Sequence, residues 1–149
     1  MDKKDILFLT YLRNNARETL TVISRKTKIP ISTLYDRLKN QEKDVITRHA
    51  TLIDFSKLGY LCKVNIAIKV DIAVRNDVKQ FLMCQNCVNS LFKINNGFDF
   101  LIEGVFLHIK EMEDFMERFE KKFKILDKKV HYIIEDIKRE AFMSEPLLQ

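Results

Sequence analysis

Residues 19–43, TLTVISRKTKIPISTLYDRLKNQEK, constrain this chain more than any other stretch. They read as two short amphipathic helices joined by a tight turn. Thr19 is a good N-cap, because its hydroxyl can accept from the first free backbone N–H groups. Leu20 and Ile23 then face inward. Pro30 disfavours helical backbone at Ile29 and suits the first turn of a new helix. That helix is expected over about residues 30–43, with Ile31, Leu34 and Leu38 on one face at spacings of three and four. Its other face carries Ser32, Thr33, Tyr35, Asp36 and Lys39. This is the layout of a helix-turn-helix, which sets its second helix in the DNA major groove. A preceding helix is expected over residues 2–15, with Ile6, Leu9 and Leu12 at helical spacing, Leu7, Phe8 and Tyr11 widening the stripe, and Asn14-Asn15 ending it through left-handed backbone.

The charge is placed accordingly. The chain of 149 residues carries a net charge of +5. Residues 1–50 hold 11 Lys and Arg against 6 Asp and Glu, whereas residues 51–149 hold 15 of each. All the positive excess lies in the segment with the helix-turn-helix pattern. A basic lobe beside a neutral one suits a protein that meets phosphate backbone with one part only.

Beyond residue 44 the periodicity changes. Val45-Ile46 and then residues 47–54 read as a short two-stranded wing, followed by a linker through FSKLGY in which Gly59 marks a backbone constraint. LCKVNIAIKVDI alternates: Val64, Ile66, Ile68, Val70 and Ile72 on one face, Lys63, Asn65, Lys69 and Asp71 on the other, as in a half-buried strand. A helix follows over residues 76–86 with Val78, Phe81 and Leu82 inward. Residues 88–95 and 98–109 form two strands around Asn96-Gly97, a strong hairpin signal. Residues 111–125 are amphipathic through Met112, Phe115, Met116, Phe119 and Phe123, and residues 128–140 make the last strand. The order β-α-β-β-α-β is that of a ferredoxin-like unit.

The expected fold class is therefore α+β: a winged helix-turn-helix domain over residues 1–50, a wing strand and linker over 51–60, a ferredoxin-like domain over 61–143, and a frayed tail over 144–149. No apolar run approaches the roughly 18 residues that span a bilayer. The N-terminus lacks a small-residue cleavage site, so no signal peptide and no membrane association is expected. Three cysteines, an odd number, suit a reduced cytoplasmic setting rather than a disulfide framework.

The helix-turn-helix followed by β-α-β-β-α-β resembles the Lrp/AsnC family of transcriptional regulators. The resemblance is carried by KDILFLTYLRNNAR, the IPISTLYDRLKNQE helix, VITRHATLIDFSKLGY and NNGFDFLI, in that order, and covers residues 3–143. It implies a DNA-binding regulator that pairs through the sheet of its sensing domain into a homodimer, with an octamer or higher assembly open. The family's base-reading and phosphate-contacting positions fall on Ser32, Thr33, Tyr35, Asp36 and Lys39. First-turn hydroxyls meet phosphate, Tyr35 touches a thymine methyl or a base edge, Asp36 accepts from a cytosine amine, and Lys39 contacts phosphate or guanine. Arg37 matches the family's arginine and is expected to pair with an acid such as Glu42 while standing beside DNA. Lys28 and Arg48, with Arg25 and Lys26, are candidates for backbone contacts. The chain departs from the family pattern at Pro30 (usually serine), Gln41 (usually leucine), Asp44 (usually glycine) and Asp36 (often basic).

The resemblance also implies an amino acid effector near the central hairpin, at Asn95, Asn96, Gly97, Phe98 and Asp99. Turn amides would hold a carboxylate, and Asp99 an ammonium group. The family's Gly-acid pair is displaced to Asn96-Gly97 here, and the plain reading of Asn-Gly is a turn without ligand. Cys84 and Cys87 have metal or redox spacing, but zinc needs two more ligands, which Cys62 and one of His49, His108 or His131 would have to supply. Helix-terminal packing is the expected role, and no metal or cofactor is expected. No Ser/His/Asp constellation, phosphate-binding glycine loop or paired-carboxylate cleft is visible, so no enzyme is expected. Two alternatives stay open: a constitutive architectural protein that coats DNA without an effector, and a tetrapyrrole (sirohaem) decarboxylase-like enzyme of the same fold, whose pocket would use Arg48 and His49.

Overall fold

A computed structural model describes residues 2–145. Its contacts divide the chain into two compact units, one over residues 53–136, the other holding the N-terminal 52 residues together with the chain from Ile137 on.

The first unit is built on three helices. Helix α1 (Lys3–Asn14) starts at a reciprocal cap: Asp5 N–H donates to Asp2 Oδ1 at 2.7 Å and Asp2 N–H donates to Asp5 Oδ2 at 3.0 Å. Asn15 ends α1 in extended rather than left-handed backbone, φ −147°. Helix α2 (Leu20–Thr27) starts at Thr19, whose hydroxyl accepts from Val22 N–H at 3.3 Å. Helix α3 spans Ile31–Asp44. Phe8, Ile23, Ile29 and Leu34 are buried together, with Tyr11, Leu12, Leu20 and Leu38 against them. The inward face of α1 differs from the expected stripe: Phe8 is the buried anchor and Ile6 is 37 % exposed. Of residues 6–12 only Thr10 is polar, so periodicity alone cannot choose a face there. Thr10 turns inward because its hydroxyl bonds the Ile6 carbonyl at 2.9 Å. In α3, Ile31 is 47 % exposed, and Ile29 just ahead of the helix takes the core place instead.

The expected two-stranded wing does not form. Residues 46–54 are in no strand, because Val45 N–H and Ile46 N–H both donate to the Gln41 carbonyl, at 2.9 and 2.7 Å, and prolong the helical exit. The stretch TRHATL, residues 47–52, also has no Gly, Asn or Asp with which to close a tight hairpin.

The second unit is a four-stranded antiparallel sheet, order β2-β3-β1-β4, of strands β1 (Cys62–Val70), β2 (Val88–Lys93), β3 (Phe100–Phe106) and β4 (Ile125–Tyr132). Helices α4 (Arg75–Met83) and α5 (Ile109–Lys122) supply the two crossovers. With that strand order this is the ferredoxin-like β-α-β-β-α-β unit. The alternation of β1 puts Val64, Ile66, Ile68 and Val70 into the core, where Ile102, Phe106, Met112, Phe115 and Phe119 meet them. Phe81 stacks on Phe119 with centroids 5.4 Å apart. Ile72, expected on the same face, lies beyond the strand in a single helical turn and is exposed. Gly59 is the backbone constraint expected there: it ends the turn Phe55–Leu58 in left-handed backbone, φ +91°.

The last strand is shorter than the expected 128–140. Tyr132 pairs with Val64, two residues from the start of β1, so β4 runs out of partner; Ile133 N–H makes one more bond, to the Lys63 carbonyl at 2.8 Å. From Ile137 the chain groups with the first unit rather than with the sheet, six residues before the boundary of 143 expected between domain and tail. Arg13 Nη2 pairs with Glu140 Oε2 at 2.6 Å, and Arg13 Nε donates to the Phe142 carbonyl at 3.2 Å. Most of the tail expected to fray, residues 146–149, lies outside the described residues.

Candidate nucleic-acid interface

The corner between α2 and α3 is set by local bonds. Lys28 takes left-handed backbone (φ 61°), and its N–H closes α2 on the Ser24 carbonyl at 2.9 Å. Ser24 Oγ donates to the Ile29 carbonyl at 2.6 Å, and Ile29 packs inward. Pro30 then starts α3 without a side-chain cap, and its carbonyl accepts from Leu34 N–H at 3.0 Å. The N–H groups of Ile31, Ser32 and Thr33 precede that first helical bond, and no acidic residue lies in the first turn. The start of α3 therefore has neither a side-chain cap nor an acidic residue of its own first turn against its positive dipole end.

Leu34 is fully buried, and Leu38 packs beside it. Residues 32, 33, 35, 36 and 39 are exposed on the opposite face, with Tyr35 at 49 %. The Lys39 ammonium lies over the Tyr35 ring, 4.6 Å from its centroid. This contact holds both side chains on the outer surface at little cost in freedom. Lys28 and Arg48 are exposed too, while Lys26 pairs with Glu18 at 3.3 Å. The structure thus brings Ser32, Thr33, Tyr35, Asp36 and Lys39 onto one helix face, as the spacing predicts.

Arg37 does not join them. It bonds Asp2 and Asp5 at the cap of α1, with Nη2 3.0 Å from Asp2 Oδ2, and not Glu42. Glu42 pairs with His49, Nε2 to Oε1 3.0 Å. The reason is position: Arg37 lies three residues beyond buried Leu34 and one before Leu38, at the margin where α3 meets α1. The guanidinium lowers the Asp2 carboxyl to about 2. The partner is invisible in sequence because it lies 32–35 residues away. Gln41, standing where the resemblance expects leucine, keeps a buried Oε1 with no hydrogen-bond partner among the described residues.

At the central hairpin, Asn96 and Gly97 both have positive φ, 62° and 87°, as the dipeptide predicts. Ile94 N–H closes the loop on the Asp99 carbonyl at 3.0 Å. The Asp99 side chain departs from its expected role. It is 8 % exposed and engaged at both oxygens: Oδ2 accepts from Val70 N–H at 2.8 Å, and Oδ1 pairs with Arg75 Nη2 at 2.7 Å. Asp99 ties the end of β1 to the start of α4, with each carboxylate oxygen already bonded inside the protein. The sequence does not signal this, because Arg75 and Val70 lie 24 and 29 residues away.

Cys84 and Cys87 are free thiols, the first exposed and the second half-buried. Burial pushes the Cys87 thiol up. Among the described residues no group of three or more His, Cys, Asp and Glu could hold a metal ion. No helix among them is long and apolar enough to cross a membrane.

No protein-family model matches the chain. Among curated proteins it is 23% identical over 150 residues to the glutamate uptake regulatory protein of Zymomonas mobilis, covering 98% of this chain and 92% of that one. It is 25% identical over 128 residues to an HTH-type transcriptional regulator of Pyrococcus furiosus, covering 83% of this chain and 82% of the relative. Among solved structures, an AsnC family transcriptional regulator from Agrobacterium tumefaciens superposes with a TM-score of 0.85 at 22% identity, over 93% of this chain and 94% of that one. A transcriptional regulator from Neisseria meningitidis, solved as a complex with L-Met, gives 0.86 at 21% identity, over 93% of each. The resemblance read from the residues stands: the relatives of this chain are HTH-type transcriptional regulators, and its fold from α1 to β4 is that of the Lrp/AsnC regulators.

Proposed function

We propose that this chain is a sequence-specific DNA-binding transcriptional regulator that acts as a homodimer, with octamers as a further assembly. The observation that carries the reading is the two-sidedness of α3. Leu34 is fully buried, and Ser32, Thr33, Tyr35, Asp36 and Lys39 stand on the opposite, exposed face. Phosphate contacts from the open start of α3, Lys28 and Arg48 supply affinity; Tyr35, Asp36 and Lys39 supply choice among bases. The names of the relatives support the same reading, and they do not favour a tetrapyrrole decarboxylase.

An amino acid effector is supported by the L-Met complex of the Neisseria regulator, and we place it at the hairpin, on Asn95, Asn96, Gly97 and Phe98, from the resemblance of the residues. In this chain the Asp99 carboxylate already holds Val70 N–H and Arg75, so an ammonium group would have to share it with them. That same engagement favours a second reading, a constitutive DNA-coating protein without effector. The two are separated by whether any of the common amino acids shifts the melting temperature or the oligomer distribution.

The reading as a whole is tested by selecting bound duplexes from a random pool. The expected outcome is an enriched palindrome whose half-sites lie one helical turn, about 34 Å, or a multiple apart. A purified dimer indifferent to duplex at low ionic strength overturns it.

A further inference from the structure

We propose that the cleft between α4 and the β2–β3 edge is a binding site for an apolar monocarboxylate that carries no amino group. The cleft encloses about 520 Å³. That lies within the roughly 300–1,000 Å³ of small-ligand pockets. Its walls come from one face of α4 and from the inward positions of β2 and β3, within the sheet unit alone.

Charge and apolar surface are both concentrated there. Arg75, Lys79 and Lys93 line the cleft together with Met83, Leu91 and Phe100. Lys79 and Lys93 have no ion-pair partner among the described residues. Arg75 is bound through Nη2 to Asp99, yet its Nε is buried and meets no acceptor among the described residues. With Arg75 paired to Asp99, Lys79 and Lys93 leave an excess of positive charge around one small volume, and an anion there relieves their repulsion while forming charge-assisted hydrogen bonds. Phe100 and Leu91 offer the apolar body of such an anion a place out of water.

The chemistry also says what is excluded. An amino acid brings an ammonium group, and no carboxylate lines this cleft. Asn76 is the sole lining side chain able to accept a hydrogen bond, and it is neutral. An ammonium placed among Arg75, Lys79 and Lys93 would meet a net positive surround, since the one carboxylate at hand, Asp99, is already paired with Arg75. Removing the amino group from the ligand removes that penalty and keeps the carboxylate. The lining reaches Lys93 and Phe100, which flank the hairpin, but includes none of residues 95–98.

The test uses the full chain without DNA, so its outcome does not depend on the regulator reading. Isocaproate, which is leucine lacking its amino group, is titrated calorimetrically beside leucine and inorganic phosphate. Saturable binding of isocaproate is expected, with leucine weaker by about tenfold or more because of its ammonium group, and phosphate weaker by a similar factor because it has no apolar body. Lys79→Gln and Lys93→Gln, both outside the core, are each expected to weaken isocaproate by a similar factor while leaving the melting temperature unchanged. Leucine or phosphate binding as tightly as isocaproate, no saturation by isocaproate, or unaltered binding in both lysine variants would each overturn the proposal.

Discussion

Arg37 on α3 reaches back to Asp2 at the start of α1, Nη2 to Oδ2 3.0 Å, so its charge is already matched by carboxylates of another helix. The same guanidinium also bonds Asp5, whose side chain is largely shielded. One side chain therefore joins the cap of the first helix to the middle of the third. The expected consequence is that Arg37→Ala lowers the melting temperature and weakens DNA binding only as far as the fold is lost. Arg37→Lys restores little, because a single ammonium cannot serve two carboxylates in the planar geometry of a guanidinium. At a temperature where the variant is folded, the slope of log K against log salt should match the parent. A reduced slope would return Arg37 to the phosphate contacts.

Lys39 should behave in the opposite way. Its ammonium sits over Tyr35 on the exposed face, away from the core. Lys39→Ala is expected to leave the melting temperature within error and to reduce the salt slope by about one ion, since each phosphate neutralised contributes about 0.9. Tyr35→Ala should weaken binding and relax sequence preference. Melting curves and salt titrations on the selected duplex measure both.

Acid should loosen the N-terminal unit through Asp2 and Glu140. Arg37 holds the Asp2 carboxyl at about 2, below its ordinary 3.8, and Arg13 lowers that of Glu140. A depressed folded value means the unfolded chain binds the proton more readily. The stabilisation is complete above the ordinary carboxylate range and drains away as pH falls toward the folded values. Denaturant midpoints between pH 5 and pH 2 should therefore fall more steeply for the parent than for Asp2→Asn. Equal slopes would show that the Arg37 contact adds nothing in solution.

Two core substitutions separate the units. Leu34→Ala removes a fully buried side chain and should cost about 2–5 kcal/mol, abolishing DNA binding with it. Asp99→Ala leaves Val70 N–H without its acceptor and Arg75 without its partner. An unmet buried donor costs about 1–3 kcal/mol, and the loss should appear in urea denaturation of the sheet unit. If Asp99→Ala instead left stability intact and removed an amino acid response, its carboxylate would be a ligand contact after all.

The elements with strong period were legible from residues alone. Val64, Ile66, Ile68 and Val70 alternate and lie buried in β1; Met112, Phe115, Met116 and Phe119 recur at helical spacing and line the core from α5. Thr19 caps α2, and Asn96-Gly97 makes the hairpin turn, because both are short-range chemistry. The outer face of α3 was legible for the same reason: Leu34 and Leu38 determine by spacing what Tyr35 and Lys39 must do. Where apolar residues were too dense, as in residues 6–12, the helix was visible but its inward face was not. What tertiary structure alone decided were the long-range partners. Arg37 met Asp2 and Asp5 instead of Glu42, Asp99 met Val70 and Arg75, β4 stopped where β1 offered no further partner, and residues 46–54 stayed unpaired. Periodicity and capping act within a turn or two of the chain, whereas an ion pair or a strand ladder depends on which distant segment folding brings alongside.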